Sequence, residues 1–526
     1  MMRNTEVLYA KAVKFHRAGR LPEAIKLYSD ILRLNQDDAK ILYLLGSAHL
    51  QIGGPSDAVR PLERATVLQP ENAAAHNNYG VALRELGQPL DALKALDRGV
   101  DLEPRDAELH NNRATVLQLL GRLDDAIAAY DLALALNPNY PEALLNWGTA
   151  LEELERLPEA LVHYDQALEL KSDFPEAHYN RGNVLGMLKR TEDALASFDE
   201  ARKLKPDYAD AHWNKALTLI SAGKYTEGWE LYEWRIKKAN SEQIYPTFPR
   251  PSWRGSEDLR GRTLFVHSEQ GLGDVVQFCR YLPLLDARGI QIVFETPIPL
   301  LPLVSSLAGD MTILAKGTVL PHFDAYCPLL SLPYSFGTTI DTVPKEIPYL
   351  SADTDRVKLW QRRLGLKDRL RVGMAWSGTT GARKLGKRSI PLEALLTFME
   401  LPIEPHSLQV TYQEIDLRTL ERNPEIRQHQ DTLTDFAETA ALIECLDLVI
   451  TIDTSVAHVA GALGKPVWIL LAFDADYRWM VEREDSPWYP TARLFRQPKP
   501  GDWQSVITCV TAALAMELSG QNIERD

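Results

Sequence analysis

Three short stretches in the second half of this 526-residue chain carry residue types that do chemistry. In Glu269-Gln270-Gly271-Leu272-Gly273-Asp274, the glycines Gly271 and Gly273 let the backbone turn sharply and approach a ligand, and Asp274 opens the run VVQFCRYLPLL. An aspartate there serves as a helix N-cap or as a general base that deprotonates an acceptor hydroxyl. In Trp376-Ser377-Gly378, followed by Arg383, Lys384, Lys387 and Arg388, the Ser-Gly turn and basic loop suit a phosphate-bearing ligand. The cations would neutralise a pyrophosphate leaving group; taken alone, the same residues make a solvated charged loop. The third stretch, DLVITIDTSVAHVAGALGKPVWILL over Asp447–Leu471, is the richest. Thr454 and Ser455 fall at a predicted helix N-terminus, where free N–H groups and the helix dipole favour an anion. Asp453 is placed to hold a sugar or ribose hydroxyl. His458, one turn on, either faces the same ligand or is a satisfied structural histidine.

Positioning these loops requires strands before them. Short β-rich runs at Thr263–Ser268, Ile290–Glu295, Met311–Leu314 and Ala325–Leu329 form one set. Arg371–Trp376, Ser407–Tyr412, Leu448–Asp453 and Pro466–Leu471 form a second. The alternation with helical segments predicts parallel sheets covered by helices. The sets imply two Rossmann-like lobes, residues 263–350 and 369–519, divided near Ser351–Asp368 and facing each other across a cleft. Each chemical motif then follows a strand, the expected ligand position in open α/β sheets. The preceding stretch, residues 243–262, carries three prolines and two glycines and reads as a linker.

The first half is different. From residue 5 to 242 a 34-residue pattern runs seven times without a gap. Alanine recurs at Ala24, Ala58, Ala92, Ala126, Ala160 and Ala194, and a small residue at Ala12, Gly46, Gly80, Ala114, Gly148, Gly182 and Ala216. An aromatic or leucine recurs at Tyr28, Leu62, Leu96, Tyr130, Tyr164, Phe198 and Tyr232. One helix pair cannot bury its apolar face alone, so such units stack into an all-α solenoid. Asn78, Asn112, Asn146, Asn180 and Asn214 share a second register, two residues before the small one. At about 100° per residue this puts them roughly opposite the helix–helix contact, lining the groove. A carboxamide both donates and accepts, which suits the backbone of an extended peptide; the alternative is that these residues cap or bridge neighbouring helices.

Composition narrows the classes. The net charge of −14 argues against general nucleic-acid binding. Four dispersed cysteines form no C-x-x-C pair, which reads as a reduced compartment without a disulfide framework or zinc site. The N-terminus lacks a signal-peptide pattern, and no run of about 18 apolar residues predicts a membrane span. A cytoplasmic location is expected.

The 34-residue pattern resembles the tetratricopeptide repeat, and its asparagines are similar to the ladders with which nucleocytoplasmic O-GlcNAc transferases hold polypeptides. The segment Asp435–Leu471, with GLGDVVQ and WSG…KRSIPL in the same order, resembles the family-9 glycosyltransferases, which include the ADP-heptose transferases of lipopolysaccharide core assembly. The resemblance covers roughly Gly261–Ser519. It implies a GT-B fold, a nucleoside-diphosphate sugar donor held mainly by the C-terminal lobe, and an inverting transfer needing no metal or cofactor. By position, the family's catalytic base falls on Asp274. Its donor contacts fall on Ser377, Gly378, Arg388 (with Lys387 as the alternative), Thr454 and Ser455, and its donor-site Asp and His on Asp453 and His458. The first lobe is short beside the family's acceptor lobe. The whole chain looks like bacterial tetratricopeptide–glycosyltransferase proteins, with a peptide or protein in the repeat groove as the expected partner. The rival reading is a scaffold whose nucleotide-sugar-binding domain is catalytically idle.

Overall fold

The computed structural model describes residues 2–239, 244–378 and 388–523. It divides into two compact units, Met1–Pro206 and Asp207–Asp526.

The first unit is six antiparallel helix pairs, from Met2–Arg17 with Leu21–Leu34 to Pro175–Met187 with Thr191–Leu204. The recurrent small residue exists because the large one, sixteen positions later, fills its space. A Cβ on Gly46 would lie 2.4 Å from Leu62, on Gly80 2.6 Å from Leu96, on Gly148 2.5 Å from Tyr164, and on Gly182 2.7 Å from Phe198. Within each pair the turn passes through a left-handed residue, which glycine adopts without steric penalty. In the fifth and sixth pairs Glu155 and Lys189 take that conformation instead, at φ 61° and 59°. Asp38, Asn72 and Asp106 cap successive first helices through their side chains. Later first helices begin with Pro141 and Pro175, whose missing N–H would be unpaired there in any case.

The second unit holds two parallel sheets. One runs in the order β3-β2-β1-β4, with β1 (Thr263–His267), β2 (Gln291–Thr296), β3 (Met311–Ala315) and β4 (Ala325–Pro328). The other runs β6-β5-β7-β8-β9, with β5 (Leu370–Ala375), β6 (Ile403–Ser407), β7 (Leu448–Ile452), β8 (Val467–Leu471) and β9 (Ala492–Arg496). Strand order reverses between β1 and β4 and between β5 and β7. The repeat solenoid is therefore followed by two GT-B-like α/β lobes. The second lobe packs Met374, Trp376, Ile450 and Trp468 with Val506, Val510 and Leu514 of the long helix Trp503–Ile523.

Three sequence readings change. The strand read at Ser407–Tyr412 lies at Ile403–Ser407, four residues earlier. The Leu-Gln-Val-Thr alternation looked like a strand, whereas the real one carries Pro405, which an edge strand tolerates. β9 was not foreseen; its two arginines, Arg493 and Arg496, mask an edge strand that buries Leu494 and Phe495. The stretch read as a linker is packed. Trp253 is buried and its N–H donates to the Tyr326 carbonyl (2.8 Å), and Phe248 stacks edge-on to Phe265. Proline and glycine signal irregular backbone, not loose backbone.

The seventh repeat also differs from the single array read over residues 5–242. Its helices, Ala209–Ser221 and Tyr225–Tyr232, belong to the second compact unit. The second helix stops after eight residues and passes into a 3-10 turn, Glu233–Lys237. Trp229, 1% exposed, sits among the rings of Tyr225, Tyr232, Phe278, Tyr477 and Trp488, so it touches both lobes.

Candidate active site

The three chemical loops leave the C-terminal ends of β1, β5 and β7, the strands that border the two reversals of strand order, where ligands bind in open α/β sheets. Asp274 lies in the first turn of the helix Leu272–Phe278. Its Oδ2 accepts from the Gly271 N–H at 2.8 Å, so it caps its own helix. Its Oδ1 accepts from Arg478 of the other lobe. From there a chain of charges crosses the site. Arg478 Nη1 pairs with Asp476 Oδ1 at 2.7 Å, Asp476 Oδ2 with Arg388 Nη2 at 3.6 Å, and Arg388 Nη1 with Asp453 Oδ2 at 3.0 Å. Arg478 Nε also donates to Gln277 Oε1 at 2.9 Å.

Three carboxylates share two guanidiniums here. Burial raises the Asp274 pKa, against the pull of Arg478, with Asp476 adding repulsion. Burial and then the Asp476 charge raise that of Asp453, despite Arg388. Burial thus disfavours the charged form of the carboxyl at each end of the cluster. An incoming anion would meet Arg388 and Arg478, and a polyol would meet the carboxylates.

Thr454 precedes the helix Ser455–Ala462, and no side chain caps that end; the Thr454 hydroxyl shares a hydrogen bond with Thr451 (3.2 Å) instead. The first-turn N–H groups therefore present the partial positive charge that suits a phosphate. His458, in the same helix, is 3% exposed, bonded through Nδ1 to the Tyr489 hydroxyl (2.9 Å) and stacked on Trp479. Burial, with Arg478 and Arg280 nearby, keeps it neutral, far below the usual histidine range. It also explains Gly273. A Cβ on Gly273 would lie 2.7 Å from His458 Cδ2 and 3.5 Å from Ser455 Cα, so the two lobes meet at this glycine. The neighbouring Gly271 is exposed, and its backbone serves the Asp274 cap.

Ser377 is clamped by Gln409, whose Nε2 donates to both the Ser377 carbonyl and its hydroxyl at 2.8 Å. Gly378 is half-buried beside it. Lys387, with Arg383 and Lys384, lies outside the described residues. Arg388, Asp453, Thr454, Ser455 and Asp274 are thus gathered at neighbouring strand ends, while His458 is engaged in packing between the lobes.

The residues that sequence reasoning missed are Gln277, Gln409, Asp476 and Arg478. Asp474-Ala475-Asp476-Tyr477-Arg478 begins three residues past the end of the buried strand β8, and charge just beyond a parallel strand is the available signal.

The asparagines are less free than their register implied. Asn78 Nδ2 donates to Ser47 (2.8 Å), Asn112 to Asn77 (2.8 Å), Asn146 to Asn111 (3.1 Å) and Asn180 to Thr149 (3.4 Å), each in the preceding repeat. Asn214, in the second unit, is half-buried. Side chains on adjacent first helices lie within hydrogen-bond reach of one another, so these amide donors go to neighbours.

Comparison with known proteins finds matches in both halves. Tetratricopeptide-repeat models match residues 43–89, 82–141, 148–189 and 175–208. The model of glycosyltransferase family 9 (heptosyltransferase) matches residues 425–479, which span β7, the helix Ser455–Ala462, β8 and Asp476–Trp479. The chain thus carries tetratricopeptide repeats and, over residues 425–479, a segment similar to glycosyltransferase family 9. Protein FlbA of Caulobacter vibrioides is 28% identical over 328 residues, 57% of this chain and 54% of that protein. The chain thus spans about half the length of the curated relative it matches. Among solved structures, the MamA protein aligns with 33% of this chain and 94% of its own at 27% identity and a TM-score of 0.30. A thermophilic tetratricopeptide protein of Thermus thermophilus aligns with 34% and 98% at 27% identity and 0.30. No described helix of the chain is long and apolar enough to cross a membrane.

Proposed function

We propose that the second unit transfers a sugar from a nucleoside-diphosphate donor to an acceptor hydroxyl, in one inverting step that needs no metal. Asp274 takes the acceptor proton as that oxygen attacks the anomeric carbon. The bond from the anomeric carbon to the β-phosphate oxygen breaks on the opposite face, and the nucleoside diphosphate departs with the electron pair. Charge on the leaving diphosphate is met by Arg388 and by the uncapped helix end at Thr454 and Ser455, with Ser377 and Gly378 closing the phosphate site. Asp453 accepts a donor hydroxyl. The donor sugar is a heptose in the family whose model matches. The repeats hold a peptide or protein, which supplies the acceptor.

The observation that carries this reading is the charge chain Asp274–Arg478–Asp476–Arg388–Asp453. It joins a candidate base on one lobe to a candidate phosphate site on the other. A second reading, an idle nucleotide-sugar sensor, draws on the engagement of both Asp274 oxygens by Gly271 and Arg478.

One experiment separates them. The full-length chain and its Asp274→Ala and Thr454→Ala variants are screened by thermal shift against ADP-, GDP-, UDP- and dTDP-sugars, and the stabilising donor is then followed for slow hydrolysis. A ligand that binds only the folded state raises the melting temperature. Transferase chemistry predicts a shift lost in Thr454→Ala, and hydrolysis lowered about 10²- to 10⁴-fold in Asp274→Ala with the shift retained. Binding with no turnover in any variant selects the sensor. No shift with any donor refutes both.

A further inference from the structure

The loop Glu269–Asp274 is held from outside its own lobe, by two residues one turn apart in the seventh repeat. Arg235 forms a two-pronged ion pair with Glu269, Nε to Oε2 at 3.0 Å and Nη2 to Oε1 at 2.8 Å. Both side chains are sealed from water, at 1% and 0% exposure. The remaining Arg235 donors reach Glu233 Oε1 (2.7 Å) and Ser331 Oγ (2.8 Å), and Glu269 Oε1 also accepts from the Leu330 N–H (2.9 Å).

 The pair therefore has no unpaired charge. A buried ion pair adds little net stability compared with an apolar pair of the same size, and its best-attested use is to specify one geometry.

The second anchor is Tyr232. Gln270 takes a left-handed backbone at φ 59°, a conformation that non-glycine residues keep only when their surroundings impose it. Its Nε2 donates to the Tyr232 hydroxyl at 3.1 Å. That hydroxyl shares a hydrogen bond with the Tyr477 hydroxyl (3.3 Å), to which Arg478 donates at 3.2 Å while also pairing with Asp274. Glu269, Gln270 and Asp274 are thus each reached from the same turn of the seventh repeat, two directly and one through Tyr477 and Arg478.

We propose that Arg235 and Tyr232 are positioning residues that set the conformation of Gln270–Asp274 and aim the Asp274 carboxylate. The seventh repeat is then part of the active centre rather than of the peptide-binding array. This rests on the reading of Asp274 as the base, and the test keeps the two apart.

The full-length chain is compared with Tyr232→Phe, which deletes one hydroxyl, and with Arg235→Lys, which keeps the charge but loses the fork. Amide exchange is followed in peptides covering Thr263–Phe278, with Leu448–Leu471 as internal reference, beside the kinetics of donor hydrolysis. Both variants are expected to speed exchange of the Gln270–Val275 amides by about tenfold or more, with the reference unchanged. They are also expected to lower kcat about tenfold at unchanged KM for the donor. Unchanged loop exchange in folded Tyr232→Phe overturns the proposal, as does faster exchange with kcat untouched in an active parent. Faster exchange with no hydrolysis by the parent itself sinks the base assignment instead and leaves the loop-setting role standing. Should Arg235→Lys fail to fold, Tyr232→Phe decides alone.

Discussion

Replacing Gly273 by alanine is expected to push the lobes apart where Gly273 meets the helix Ser455–Ala462. The added Cβ would lie 2.7 Å from His458 Cδ2, 3.3 Å from its Nε2 and 3.5 Å from Ser455 Cα. Carbon atoms in contact prefer about 3.5–4.0 Å, so the overlap with the ring is about 1 Å. The ring cannot swing away, because Tyr489 holds Nδ1 and Trp479 covers one face. Overpacking of this kind costs about 1–3 kcal/mol. Alanine returns about 0.5–1 kcal/mol over glycine in a helix, so the net loss is at most about 2.5 kcal/mol. The assay is a double-mutant cycle with His458→Ala, read by hydrogen exchange in the helices Leu272–Phe278 and Ser455–Ala462. With the ring gone, alanine at 273 meets only Ser455 Cα and should stabilise by about 0.5–1 kcal/mol, so the coupling energy equals the overpacking term, about 1–3 kcal/mol. Equal changes in both backgrounds would refute the reasoning that His458 is a packing partner.

The remaining predictions are briefer. Burial depresses the pKa of His267 to about 4 and of His406 to about 3. Such groups contribute stability above their unfolded pKa near 6.5 and lose it as pH falls, so each should cost about 1–2 kcal/mol between pH 7 and 5 in acid-denaturation curves. Asp274 and Asp453, raised by burial, act with the opposite sign: their contribution is present at low pH and lost as pH rises through their raised values. Lys189→Gly removes a side chain from a left-handed position and should stabilise the sixth repeat by about 0.5–1 kcal/mol, seen as slower exchange in Thr191–Leu204. Asn112→Ala should cost about 1–2 kcal/mol, because it strands the buried Asn77 carbonyl, and exchange should quicken in Ala73–Glu85 and Ala107–Leu119 first.

The repeats were readable because one packing rule recurs: where Gly46, Gly80, Gly148 and Gly182 stand, Leu62, Leu96, Tyr164 and Phe198 need the room. The three motif loops were readable because Gly, Ser and Asp follow buried strands, and strand ends in a parallel sheet gather ligands. What escaped was set by partners distant in sequence. Arg478 acquires meaning only when the lobes bring it to Asp274, 204 positions away. Arg235 falls inside the 34-residue pattern, which holds nothing that points it at Glu269, 34 positions on. The asparagine register was visible, but register alone does not say whether an amide faces a guest or the next helix. β6 and β9 were misplaced or missed because edge strands tolerate Pro405, Arg493 and Arg496, which are poor strand signals in isolation.

Repeat arrays change length in evolution by gaining or losing whole 34-residue units, because each unit leans only on its neighbours. Here that freedom stops at Pro206. A unit duplicated or deleted before it alters only the solenoid, whereas the unit after it carries Trp229 among rings from both α/β lobes. Natural variants of this architecture should therefore differ in repeat number upstream of that proline and keep the last unit, and a chimaera carrying a foreign solenoid should be joined there rather than at the end of the repeat pattern.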